Sequence, residues 1–214
     1  MKISAILFDL DGTLIDSTPV LMISWSMALS EVGIKVRPED LRKYVGLAPK
    51  TIVSQFIKDP SDELVRMLKE IRKNYYIKNI DKVVVFDDAR FLLEQAKRLG
   101  IKMALATSMG NDLLNEIVVH TGLEKYLCCW VSAEEVARPK PEPDVFLKAL
   151  EKVGTEKSSA IGVGDREYDI IALRKAEIYS VLVERDEYSI TKEVEPDLRV
   201  KSLTELVPLI QSNR

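Results

Sequence analysis

The stretch "ILFDLDGTLIDS" (Ile6–Ser17) runs a short apolar segment into two acids and a glycine, and its reading decides the fold. Ile, Leu and Phe in succession read as a buried strand, bounded here by Asp and Gly. The run stops at Asp9 and Asp11, which a single leucine separates. Alternation along an extended chain puts both acids on one side and Leu10 on the other. Like charges about 4 Å apart repel by roughly 4 kcal/mol at an effective dielectric near 20. A core strand that ends this way needs a reason to hold its acids together.

Outward from this strand, further short apolar runs recur: "IKMALA" (101–106), "LCCWVS" (127–132), "SAIGVG" (159–164) and "YSVLV" (179–183). Amphipathic helical patterns separate them. "RFLLEQAKRLG" (90–100) ends on glycine, and "PDVFLKALEKVG" (143–154) opens on proline and ends on glycine, as helices do. Strands alternating with helices predict an α/β fold: a Rossmann-like three-layer core with a parallel sheet covered on both faces.

One connection breaks the alternation. After the first strand no comparable run appears until residue 101, although a strand-to-helix connection takes only about two to six residues. The intervening stretch has helical periodicity of its own. In "TPVLMISWSMALSEVG" (18–33), Leu21, Trp25, Ala28 and Val32 share a face, and further helical segments follow near 49–58 and 61–78. The expected organisation is a catalytic core of residues 1–15 and 83–214 with a small inserted helical cap over 16–82, hinged near Asp16 and Asp81–Val85.

The composition excludes several classes. The chain has 214 residues, 46% hydrophobic and 30% charged, with a net charge of −3. That suits a soluble globular protein, and no basic block points to nucleic acid. The N-terminal apolar run meets Asp9 too soon for a signal peptide, and no apolar run spans a bilayer. Cys128 and Cys129 are adjacent on an expected strand and would point to opposite faces, which favours a reducing cytoplasm. The expectation is a cytoplasmic monomer or weak dimer with no nucleic-acid or membrane partner.

In a doubly wound sheet, ligands bind beyond the carboxyl ends of the strands. Four strands here end in polar groups: Asp9 to Thr13, then Thr107-Ser108, then Lys140 in "RPKPEPD", then "GDREYD" (164–169). Each has a bland reading taken singly. An Asp caps a helix, a Thr or Ser closes a turn, and a lysine sits in solvent. Their conjunction, in this order and each at a strand end, is not explained that way.

These residues carry a resemblance. The chain resembles the haloacid dehalogenase superfamily, in the subfamily with a helical cap after the first strand. "DLDGT" matches its DxDGT motif, "LATS" its second motif, "KPEPD" its lysine motif and "GDREYD" its acidic fourth motif. The resemblance implies a phosphatase in which Asp9 is the nucleophile that forms an aspartyl phosphate. Asp11 is implied as the general acid and base, Thr13 as a loop-positioning residue, and Thr107 and Ser108 as phosphoryl contacts. Lys140 would neutralise the phosphoryl group and Asp9. Mg²⁺ would be bound by Asp9, Asp165 and the backbone carbonyl of Asp11, with Asp169 behind them.

The implied substrate is a small phosphorylated metabolite, phosphoglycolate-like or sugar-phosphate-like. A phosphomutase of the β-phosphoglucomutase kind shares every core motif, and a non-catalytic phosphometabolite-binding protein is a remote alternative. In "VGLAPK" (45–50), Lys50 is a candidate cap contact to an anionic substrate with an ordinary surface lysine as the equal alternative, Arg42 and Lys43 read the same way, and His120 reads as structural. Where the family often has Pro-Gly on returning from the cap, this chain has Phe86-Asp87-Asp88.

Overall fold

The side chains of the first strand, β1 (Ala5–Phe8), divide between two cores. In the computed structural model, which describes residues 2–212, Ile6 and Phe8 enter one apolar cluster, and Ala5 and Leu7 enter another. This is the period-2 alternation of a strand buried on both faces. Around β1 lie β4 (Lys102–Ala106), β5 (Cys129–Val131), β6 (Ala160–Gly164), β7 (Tyr179–Val183) and β8 (Leu198–Val200). The order is β5-β4-β1-β6-β7-β8, and every pairing is parallel. The expected five runs are strands, and the sheet gains a sixth in β8.

Helices cover both faces. On one side α4 (Asp87–Arg98), α5 (Asn111–His120) and the short α8 (Val207–Gln211) bury Leu92, Leu113, Ile117 and Ile210. On the other, α6 (Asp144–Val153) and α7 (Glu167–Lys175) bury Phe146, Ala149 and Leu173. Gly154 stops α6 in the left-handed conformation, where the absence of a Cβ removes the steric cost. The chain builds β4 and β5 to one side of β1, then returns to place β6, β7 and β8 on the other. The reversal lies at the carboxyl end of β1, where a doubly wound sheet opens a crevice.

Between β1 and α4 the chain leaves the sheet through a two-stranded antiparallel ribbon. Its strands are β2 (Ile15–Asp16) and β3 (Val84–Val85). Beyond it, α1 (Thr18–Ser30), α2 (Pro49–Ser54) and α3 (Asp62–Ile77) pack on a cluster of their own that includes Trp25, Leu29, Ile52 and Leu68. Ser61 caps α3, its hydroxyl accepting from the Leu64 amide at 3.2 Å. Pro38–Tyr44 forms a 3-10 segment that periodicity did not indicate.

Cys128 precedes β5, and its thiol lies 3.9 Å from that of Cys129 instead of on the opposite face. Among the described residues no helix is long and apolar enough to cross a membrane.

Candidate active site

β1 hands its last ladder bond to Asp9, whose amide donates to the Val163 carbonyl at 2.8 Å. The chain then turns sharply, with Leu14 N bonding to Leu10 O and Gly12 N to Ile15 O. Gly12 sits at φ +82°, and a Cβ there would lie 2.4 Å from Asp165 Oδ2. Only glycine satisfies both the turn and the close approach of the acid. Leu10 is fully buried.

Asp9 and Asp11 end in different surroundings. Lys140 Nζ donates to Asp9 Oδ1 at 2.6 Å, lies 2.8 Å from Asp169 Oδ1, and stands 4.7 Å over the Phe146 ring. Its side chain is 1% exposed. The Asp11 carboxylate is held instead by the Ser17 hydroxyl, at the start of α1. Burial pushes Asp9 up to about 7, with Lys140 opposing and Asp169 and Asp11 adding to the rise. Burial also raises Asp11, against the Ser17 bond and the charges of Arg72 and Lys140. For Lys140, burial works downward, but Asp169 and Asp9 outweigh it and leave the ammonium firmer than usual.

The other expected residues converge here. Thr107 is buried at the end of β4, and its hydroxyl accepts from the Met109 amide at 3.1 Å. The hydroxyl proton remains free to donate. Thr13 donates to Asp165 Oδ1 at 3.4 Å. Asp169 Oδ2 accepts from the Arg166 amide at 3.1 Å and so caps α7. Carboxylate oxygens of Asp9, Asp165 and Asp169 lie within 4.8 Å of one another.

Asp165 Oδ2 is buried and accepts no hydrogen bond, although Arg166 Nε is 3.0 Å away out of line. Burial drives this acid well above the carboxylate range. An all-oxygen, buried and under-satisfied donor set fits a hard divalent cation such as Mg²⁺. Asp169 belongs to this cluster of oxygens, whereas the Asp11 side chain is turned away from it.

Of the two readings of Lys50, the structure shows the surface one. Lys50 makes an exposed ion pair with Asp62 at 2.7 Å and does not line the cavity beside Asp11. Its position at the solvent edge of α2 turns its charge outward. Arg42 pairs with Asp186 at 2.9 Å, and Lys43 lies over the Tyr44 ring. The cation that does reach the cavity is Arg72 of α3, which sequence reasoning missed. It lines a partly open cavity with Asp11, Trp25, Gly46, Leu47 and Ser108.

Further positioning contacts were also illegible. Arg185, after β7, donates to the Gly12 and Thr13 carbonyls at 3.3 and 2.9 Å. It makes two bonds to Asp88 and stacks 4.0 Å over Phe86. The Tyr168 hydroxyl donates to the Val45 carbonyl at 3.1 Å, against Gly46 at φ +88°. A Cβ on Gly46 would fall 1.7 Å from that hydroxyl oxygen.

This arrangement has known counterparts. A family model described as haloacid dehalogenase-like hydrolase matches residues 6–183. The chain belongs to the haloacid dehalogenase-like hydrolases. This hydrolase is 30% identical, over 99% of its length and 96% of the relative's, to a protein of Caldanaerobacter subterraneus subsp. tengcongensis provisionally named pyrophosphatase PpaX. It is 28% identical to a phosphoglycolate phosphatase of Aquifex aeolicus, covering 97% of each chain. The structure of a β-phosphoglucomutase from Clostridium difficile shares the fold, with a TM-score of 0.84 at 23% identity over 99% of this chain and 96% of that one. The haloacid dehalogenase-like hydrolase described here is accordingly an enzyme, a phosphatase of that family.

Proposed function

We propose that the chain is a Mg²⁺-dependent phosphatase that hydrolyses a small phosphorylated metabolite through an aspartyl phosphate on Asp9. The observation that carries this reading is the separation of the two acids. Asp9 faces Lys140 and the acidic cluster, while Asp11 is held apart by the Ser17 hydroxyl. Paired carboxylates in unlike environments suit a division of labour between nucleophile and acid.

In the first step an Asp9 carboxylate oxygen attacks phosphorus and the bond to the leaving oxygen breaks. Asp11 gives its proton to that oxygen. Lys140 and the Thr107 hydroxyl orient the phosphoryl oxygens and offset their charge. In the second step Asp11 takes a proton from water, the water oxygen attacks phosphorus, and the bond to Asp9 breaks to free phosphate and carboxylate. Asp9 and Asp165, with Asp169 beside them, would hold Mg²⁺, which supplies charge neutralisation at the phosphoryl group when bound. Residues 16–82 act as a cap that encloses the leaving-group side.

The test is a hydrolysis screen over phosphorylated metabolites with Mg²⁺ or EDTA, together with Asp9→Asn and Asp11→Asn. Asp9→Asn is expected to be inactive. Asp11→Asn is expected to lose about 10²–10⁴-fold and to accumulate a phosphoryl adduct on the peptide carrying Asp9 when the leaving group is an aryl alcohol. Turnover in EDTA, or a fully active Asp11→Asn on an alkyl phosphate, would refute the assignment. Transfer to a second sugar phosphate in place of water would make the enzyme a mutase.

A further inference from the structure

Arg166 directly follows Asp165, yet its side chain folds back onto that acid. Successive residues of an extended chain point to opposite faces, and Arg166 is extended, at φ −123° and ψ 156°. Its long side chain nevertheless brings Nε to 3.0 Å from Asp165 Oδ2, the oxygen that accepts no hydrogen bond. Arg166 is buried, and its directional bonds go elsewhere. Nη1 and Nη2 donate to the two oxygens of Asp186 at 2.9 and 3.2 Å. The Tyr188 ring lies 5.9 Å from the guanidinium carbon. Asp186 follows β7, and its carboxylate also accepts from the Tyr188 amide at 2.8 Å and from Arg42 at 2.9 and 3.2 Å.

We propose that Arg166 is a tethered competitor of the divalent cation for Asp165, and that Asp186 is the positioning residue that holds it off. This rests on the reading of Asp165 as a Mg²⁺ ligand. A guanidinium beside a buried carboxylate offsets the negative charge that a metal ion would otherwise meet. Because Asp165 and Arg166 are consecutive, that cation is never diluted away from the acid. Asp186 takes the paired bonds of the guanidinium and leaves Asp165 Oδ2 open to another cation. A partly open cavity bordered by Gly12, Arg42, Asp165, Arg166 and Asp186 gives the guanidinium room to withdraw. This cavity shares no residue with the one beside Asp11, so the device acts on the metal ligand and leaves the acid alone.

The experiment titrates Mg²⁺ alone into the full chain, without substrate, by isothermal titration calorimetry, with circular dichroism confirming that each variant is folded. Asp186→Asn gives up the charge that restrains Arg166, so Mg²⁺ affinity should fall by about tenfold. Arg166→Met removes the competitor and keeps an apolar stem, so affinity should rise by about tenfold. In the double variant no competitor is left to restrain, and affinity should stay within about twofold of Arg166→Met. Arg42→Gln removes an equal charge from Asp186 but no neighbour of Asp165, and should gain less than about threefold.

Additive effects in the double variant, or a gain in Arg42→Gln as large as that in Arg166→Met, would mark a general charge effect and overturn the inference. A lower affinity in Arg166→Met would make the arginine a support for Asp165 and overturn it as well. Should Asp186→Asn not fold, the comparison of Arg166→Met with Arg42→Gln decides alone. Affinities that ignore all these changes, with phosphate release still dependent on Mg²⁺, sink this inference and spare the phosphatase reading. An absence of Mg²⁺ binding in both wild type and Arg166→Met sinks the metal assignment and the inference together.

Discussion

In EDTA the folded protein should become less stable as pH rises toward neutrality, the reverse of ordinary acid denaturation. Asp9 is raised from 3.8 to about 7, chiefly by burial. Between those two values the folded protein retains a proton that the unfolded chain has released, so stability falls with increasing pH. A displacement of that size corresponds to about 4 kcal/mol between the protonation states. For a chain of this length that is roughly 8–16 °C in melting temperature as a ceiling. Lys140 is shifted upward, so its contribution is intact below about 10.5 and does not enter this window. The surface acids Asp40, Asp62 and Asp144 are lowered, so they release their stabilisation only below about 3.8.

The assay is thermal unfolding followed by circular dichroism in EDTA, from pH 4.5 to 7.5, on wild type and Asp9→Asn. The variant keeps Lys140 paired with Asp169 at 2.8 Å, so loss of the ammonium's partner does not confound the comparison. Its melting temperature should fall less steeply and exceed that of wild type at pH 7.5. Mg²⁺ at pH 7.5 should raise wild type more than the variant. Parallel slopes for the two proteins, or a wild-type melting temperature that climbs across the window, would refute the reasoning.

Gly12→Ala should cost about 1–2 kcal/mol from the left-handed backbone alone, and more from the 2.4 Å approach to Asp165 Oδ2; urea unfolding measures the loss. Arg185→Gln should lower kcat more than it raises KM, because the Gly12 and Thr13 carbonyls lose the side chain that ties them to Asp88. Tyr168→Phe should cost about 1 kcal/mol and accelerate amide exchange at Gly46 and Leu47, since Val45 O loses its 3.1 Å bond.

The sheet was legible because burial on both faces leaves a local mark. Ala5 to Phe8 are all apolar, and the acid at position 9 marks where water or ligand begins. The core site was legible for the same reason, since each of its residues follows a strand end. β8 escaped notice because "LRV" exposes Arg199 at the sheet edge and shows no apolar run. Ser17 stood in plain view in the first motif, but its bond to Asp11 depends on how α1 folds back after the ribbon. Arg72 looked like one more cation in a helix rich in Lys, Arg and Glu, and only packing of α3 against α1 buries it. Asp88, on the return from the helical segment, gains its role from Arg185, far along the chain, and no short-range pattern encodes that pairing.

The contacts between the helical unit and the sheet have a common polarity. Arg42, Lys69 and Lys73 supply the cations, while Asp186, Glu134 and Asp112 supply the anions, at 2.9, 2.6 and 3.2 Å. Closure of the proposed cap is then a tethered association of a polycation with a polyanion, with two short linkers setting a local concentration of about millimolar. These pairs are half-buried, and solvent-screened pairs of this kind contribute only about 1 kcal/mol each. Such pairs weaken once the screening length falls below about 10 Å near 0.1 M salt. On the cap reading, turnover should therefore depend on ionic strength and peak at an intermediate salt concentration, where docking and release balance.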